Sequence, residues 1–253
     1  MVRIAQLPIS SNRSKRQVNR KILITGSSGS IGTEIVKNFL NQEDIVFGID
    51  KNKNLYDIRQ FTGDLQNDSE LEDSKDWINN SSSHYDVVIN CAGISSQTEN
   101  NFNFNNLKST LRVNLEVPFI YCGLTIDKAL HEHKPLSIIN FTSLGAHQGF
   151  PFNPSYQISK AGLGQLSRSI AVDYGRHGIR ANNLVPGYIR TAMTEKSFND
   201  PSANKIRAEH AALKRWGNTS DLVGAVNFLA SEESVFVTGI DLFVDGGWSI
   251  NGL

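Results

Sequence analysis

The chain has 253 residues, in which 25 lysines and arginines balance 25 aspartates and glutamates. Zero net charge excludes the chain-wide basic footprint of a nucleic-acid binder, and no apolar run reaches the length of a membrane-spanning helix. Two cysteines, Cys91 and Cys122, lie in apolar contexts and make no disulfide framework, so a soluble cytoplasmic protein with reduced thiols and no metal site is expected.

The first 21 residues carry Arg3, Arg13, Lys15, Arg16, Arg20 and Lys21 and no acid. A presequence has this composition, and so does a disordered tail. With no clear cleavage signal, residues 1–20 are expected to be a flexible basic tail. Lys21 to Thr25 is a β-branched run that ends in glycine and reads as a buried parallel strand. Gly26-Ser27-Ser28-Gly29-Ser30-Ile31-Gly32 follows, and then the helical pattern Ile35, Val36, Phe39, Leu40. Strand, glycine-rich turn and helix together form the context of a dinucleotide site. The glycines admit a pyrophosphate close to the backbone, and the helix start offers free N–H groups.

Ile45 to Asp50 is the second strand. An acid at its end, roughly 20 residues past the glycines, can accept from both ribose hydroxyls of NAD and repel a 2′-phosphate. The third strand ends near Gly63-Asp64-Leu65, so the intervening connection has a short helix or only a turn. Asp68 to Trp77 reads as an acidic helix and Asp86 to Asn90 as a strand that exits through Cys91-Ala92-Gly93. Asn105 to His133 has helical periodicity with a kink expected at Pro118. Asn114, mid-helix, is either exposed or placed for use.

Leu136 to Phe141 is a strand with Ser143 just beyond its carboxyl end, where ligands bind in open α/β sheets. Ser155 is a candidate cap for the next helix. That helix carries Tyr156 and Lys160, four apart and on one face. A neighbouring ammonium favours a phenolate, so Tyr156 is expected to have a lowered pKa and to exchange protons with a substrate oxygen. Ile179 to Pro186 is the sixth strand, closed by Gly187. Thr191 to Gly217 is a long polar stretch with a helix near Ala203 to Leu213, the pattern of a lid. Thr219 or Ser220 can cap a helix that runs through Leu229, and Ile240 to Val244 is the last strand. The alternation describes one α/β domain, a doubly wound parallel sheet flanked by helices on both faces.

Read together, Thr25 to Gly32, Asn90-Cys91-Ala92-Gly93, Asn114, Ser143, Tyr156-Gln157-Ile158-Ser159-Lys160 and Pro186-Gly187 resemble the motifs of the classical short-chain dehydrogenase/reductase family, over about Lys21 to Gly247. Two features depart from it. The glycine spacing is TGxxGxxG, with Ser30 in place of the middle glycine, as in the extended branch, and the connection after Asp50 is truncated.

The resemblance implies a Rossmann domain over residues 21–253, with a substrate lid at 187–218. It implies an NAD(P)-dependent enzyme acting on a small-molecule carbonyl or secondary alcohol. It makes Tyr156 the general acid/base. Lys160 would lower the pKa of Tyr156 and hold the nicotinamide ribose, Ser143 would bond the substrate oxygen, and Asn114 would hold a water that serves Lys160. It assigns cofactor contacts to Gly26, Ser28, Gly29, Ser30, Ile31, Gly32, Asp50, Asp64, Leu65, Asn90, Ala92, Gly93, Pro186, Gly187, Ile189 and Thr191, besides Tyr156 and Lys160. Asp50, with no basic residue at position 29, favours NAD over the alternative NADP. The family's oligomers imply a homotetramer or dimer built on the helices from Asn105 and Ser155 and on the last strand. Gln97, His147, Gln148, Asn153 and Tyr188, with Phe150, Phe152, Met193 and Trp216 as apolar cover, favour a sugar, sugar acid or polyol. A 3-oxoacyl-carrier-protein reductase is the alternative, and a non-catalytic dinucleotide-binding regulator a further one. The glycine spacing also admits an epimerase or dehydratase.

Overall fold

The computed structural model describes residues 19–95 and 102–252. Residues 1–18 of the expected tail, and Gln97, lie outside the described residues. Arg20, counted with the tail above, is tied into the fold by a 2.7 Å ion pair to buried Asp44.

Seven parallel strands form one sheet in the order β3-β2-β1-β4-β5-β6-β7. They are β1 (Lys21–Thr25), β2 (Ile45–Asp50), β3 (Arg59–Thr62), β4 (Val87–Asn90), β5 (Leu136–Phe141), β6 (Ile179–Pro186) and β7 (Asp241–Val244). Side chains alternate across a strand, so a central strand covered on both faces must be apolar at every position. In β1, Leu23 faces a core with Ile78, Tyr121 and Ile126 from α2 (Asp68–Ser81) and α4 (Val117–His131). Ile22 and Ile24 face the other core, with Ile35, Val36 and Phe39 from α1 (Ser30–Leu40) and Val226 and Leu229 from α8 (Val223–Ala230). Each fully buried side chain of this kind is worth about 1.5–3 kcal/mol. The strand order reverses between β1 and β4, and there the carboxyl ends of the strands frame a crevice.

Three local readings are corrected. The helical stretch from Asn105 is not one helix kinked at Pro118. It is α3 (Phe104–Leu111), a π-helical turn (Arg112–Glu116) and then α4. Pro118 sits in the first turn of α4, directly after the π-helical turn. The next helix, α5 (Pro154–Tyr174), begins after Asn153, and Ser155 is buried inside its first turn rather than capping it. The turn before α8 opens at Asn218, not Thr219 or Ser220; the Asn218 N–H donates to Asp221 Oδ2 at 2.7 Å. The helix expected near Ala203 to Leu213 is α7 (Pro201–His210), preceded by the short α6 (Glu195–Asn199). As expected, no helix joins β2 to β3. Side-chain hydrogen bonds brace that connection: Asn54 Nδ2 donates to Ser27 O at 2.6 Å and Gln60 Nε2 to Asn52 O at 2.6 Å.

Candidate active site

A cavity of about 450 Å³ opens along the strand ends. At one end it is lined by Gly26, Ser28 to Gly32, Asp50, Asp64 and Leu65; at the other by Ala92, Gly93, Ser143, Tyr156, Lys160, Pro186, Gly187, Ile189 and Thr191. One cavity thus joins the expected ribose end to the expected reacting end. Asn90 and Asn114 are the two assigned residues that do not line it. Lys51, Asn52, Gln66 and Ile94 line it unforeseen.

The glycine turn has little room. Gly26 has φ +69°, a left-handed conformation that favours glycine, and a Cβ there would stand 2.7 Å from the backbone of Ala92. The first turn of α1 has Gly29 as its N-cap, with no side-chain cap, so its N–H groups are available to an anion. Asp50 is positioned by two backbone donors, Ser28 N–H at 3.0 Å and Asn52 N–H at 2.9 Å. The Ser28 hydroxyl donates to Asn52 O at 2.7 Å, so it braces the turn. Ser30 does what a glycine could not: its Oγ accepts from Ala192 N–H at 3.2 Å and links the turn to the segment that follows β6. The residue stood out in the sequence as a departure, but its partner lies 162 positions on. These features fit a dinucleotide: a bare helix start for a diphosphate and an acid at the ribose position.

Asn90 lies below the cavity floor. Its Nδ2 donates to Asn140 Oδ1 at 2.8 Å, and Asn140 Nδ2 donates to Ser167 Oγ at 2.8 Å. Ser167 Oγ continues to Asn183 Oδ1 at 2.6 Å, and Asn183 Nδ2 to Asp241 Oδ1 at 2.7 Å. This polar row fixes β4, β5, α5, β6 and β7 against one another. Asn114 is buried in the π-helical turn. Its Oδ1 accepts from Ile94 N–H at 2.8 Å, while Nδ2 donates to Ile94 O at 2.9 Å and Ser159 Oγ at 3.0 Å. The extra residue of a π turn re-aims one side chain, and here that side chain clamps the exit of β4 to α5.

Lys160 Nζ donates to Phe141 O at 2.7 Å and lies 5.8 Å from the centre of the Tyr156 ring. Burial pulls the Lys160 ammonium down to about 8, with Cys91 acting the other way. The expected lowering of the Tyr156 phenol is overturned: burial raises it, and the Ser143 hydroxyl opposes that rise. Desolvation of the phenolate outweighs the local polar groups. Burial also lifts the Cys91 thiol to about 12, so it stays neutral. Of the residues expected to shape a substrate pocket, His147 is exposed and stacks on Phe243 at 5.0 Å, and Phe152 is 66% exposed. Tyr188, by contrast, packs between Trp216 and Trp248, at 5.5 and 5.4 Å.

The lysine gives a stability prediction. A lysine held below its unfolded value binds its proton less tightly in the folded state. Its cost is complete below about pH 8 and is relieved as pH rises toward 10.5. Wild type should therefore gain on Lys160→Met by on the order of 3 kcal/mol over that window, read by urea unfolding at several pH values. A pH-independent difference would place the ammonium in water.

A model described as Enoyl-(Acyl carrier protein) reductase matches residues 26–249. The 2-dehydro-3-deoxy-D-gluconate 5-dehydrogenase of Bacillus subtilis is 31% identical over 238 residues, 89% of this chain and 93% of that one. Among solved structures, a 4-hydroxyisoleucine dehydrogenase complexed with NADH superposes with a TM-score of 0.86 at 28% identity, over 92% of this chain and 100% of that one. A gluconate 5-dehydrogenase from Burkholderia cenocepacia, in complex with NADP and tartrate, does so at 0.85 and 26%, over 93% and 97%. Family model, relatives and strand order agree, and the chain belongs to the classical short-chain dehydrogenase/reductase family, as an NAD(P)-dependent oxidoreductase of CH–OH groups.

Proposed function

We infer that the protein interconverts a secondary alcohol and a carbonyl in a polar hydroxylated substrate, a sugar acid or polyol, with NAD as the preferred cofactor. The observation that carries this is the wall formed by Ser143, Tyr156 and Lys160 in the same cavity that holds Asp50 at its other end. When bound, the dinucleotide supplies or accepts the hydride. Tyr156 moves the proton on or off the substrate oxygen, and Ser143 donates a hydrogen bond that stabilises charge developing there. Lys160, held by the Phe141 carbonyl, steadies the phenolate. Its positive charge favours the phenolate, against the burial that raises the phenol. Asn114 keeps the β4 exit and α5 in register, and residues 187–218 cover the substrate.

The relatives support the substrate class: sugar-acid and hydroxy-amino-acid dehydrogenases are among them. A carrier-bound acyl group is the second reading, favoured by the description of the family model. Exposed Phe119, Ile158 and Val172 on α4 and α5, and Ile240 and Phe243 at β7, support a homo-oligomer acting in the cytoplasm, where Cys91 and Cys122 stay reduced. A 340 nm assay with D-gluconate, D-glucitol and an oxoacyl thioester, each with NAD(H) and NADP(H), tests the reading. Turnover of the thioester alone would reverse the order of the two.

Asp50 sets the cofactor prediction. Asp50→Asn keeps an oxygen for only one of the Ser28 and Asn52 amides, which bond separate carboxylate oxygens, and removes the charge that repels a 2′-phosphate. The NAD-over-NADP ratio of kcat/KM should fall about tenfold or more. An unchanged ratio would remove Asp50 from the ribose.

A further inference from the structure

We propose that Arg207 and Trp248, both packed on Tyr188 at the edge of the catalytic cavity, form a carboxylate-recognition site through which this enzyme selects hydroxy acids over neutral polyols. The proposal rests on the oxidoreductase reading above and names what would read the substrate's acid group. Among the described residues, Arg20, Arg168, Arg180 and Arg215 each bond an acid or a backbone carbonyl. Arg207 bonds neither. Its guanidinium lies over the Tyr188 ring, 4.9 Å from the centre, and its Nε is buried with no partner. The indole Nε1 of Trp248 is a second buried donor with no partner, and its ring packs on the same Tyr188 at 5.4 Å.

Buried donors without acceptors are costly, and two of them beside one ring call for an acceptor-rich ligand. A carboxylate has about four lone-pair positions and matches the planar fork of an arginine. A neutral hydroxyl carries no charge to meet the guanidinium. Tyr188 supplies the flat support that holds the cation without neutralising it.

The location suits a substrate. Tyr188 follows Gly187, which lines the catalytic cavity. Trp248 packs on Phe150 at 5.6 Å. A Cβ on Gly145 would stand 3.8 Å from the Phe150 ring and 3.7 Å from Ser143 Oγ. Tyr188, Arg207 and Trp248 do not themselves line the cavity, but Tyr188 stands between Gly187 and Ile189, which do, so an acid group held there would belong to a molecule that extends from the cavity. Arg207 comes from α7, so the acid would also fasten the lid.

The test is isothermal titration of two matched pairs, D-gluconate with D-glucitol and L-tartrate with L-threitol, into enzyme held with NADH. Wild type should bind at least one acid more tightly than its neutral partner. Arg207→Gln should weaken that acid about 10–100-fold and leave the polyol unchanged. Arg207→Lys, which keeps the charge but not the planar fork, should lose less, and Trp248→Phe should lose several-fold. In turnover the loss should fall on KM with kcat largely kept. A wild type that prefers neither acid, or an Arg207→Gln that weakens acid and polyol alike, overturns the proposal. Acid preference in binding with no NAD(P)-linked turnover of any compound would instead sustain this site and sink the oxidoreductase reading.

Discussion

Tyr156→Phe should lower kcat by about 10³-fold or more while NADH affinity stays within a few-fold of wild type. A positioned acid/base group contributes about 10²–10⁴ to a rate, and a residual rate from Ser143 and positioning remains after its loss. The substitution removes one oxygen and keeps the ring that lines the cavity, so packing of α5 against β6 is preserved. The raised phenol of Tyr156 sharpens the expectation. In wild type the group is neutral through the physiological range and can serve at once as the acid of the reductive direction. The oxidative direction needs the phenolate, so its rate should climb with pH until the phenol ionises. Nucleotide binding followed by fluorescence and single-turnover rates at several pH values separate the two effects. A Tyr156→Phe enzyme with near-wild-type turnover would move the proton transfer to another group.

Most of the architecture was legible because it depends on local signals. Continuous apolar runs marked the strands, and glycine, asparagine and proline at their ends marked where the sheet opens. The end of β5 placed Ser143 at the sheet edge, the i, i+4 spacing put Tyr156 and Lys160 on one helix face, and the family resemblance brought the three together. What escaped depends on contacts between distant residues. The π turn that aims Asn114 is specified by its fit to Ile94 and Ser159, 20 and 45 positions away. Asn90 joins, through its Nδ2, a polar row crossing to β7 whose first partner, Asn140, lies 50 positions away. The sign of the Tyr156 shift failed for a related reason. Sequence spacing gives the distance to a charged neighbour but not the desolvation set by everything packed around the ring.

Gly32→Ala should destabilise the protein by several kcal/mol and weaken NAD(P)H binding by about 100-fold or more. A Cβ at position 32 would lie 2.0 Å from Gly26 O, 2.8 Å from Gly26 C and 3.0 Å from Ser27 Cα. All three are backbone atoms, so no rotamer change relieves the clash. Nor can α1 simply back away, because Ile35, Val36 and Phe39 pin it in the core and Gly26 is itself seated on Ala92. The turn must deform, and the turn is the part of the chain proposed to meet the diphosphate. Two comparisons make the result decisive. Alanine is the better helix former by about 1 kcal/mol, so without the clash Gly32→Ala would stabilise α1, and the sign of the change alone discriminates. Gly29→Ala is the comparison: its φ is −72°, and its Cβ would meet only Gly26 O, at 3.3 Å rather than 2.0 Å, so it should destabilise the protein much less than Gly32→Ala. Chemical unfolding and NADH titration of both variants give the answer; a Gly32→Ala protein as stable as wild type, or one that binds as well as Gly29→Ala, would mean that the helix and the turn are not packed as described.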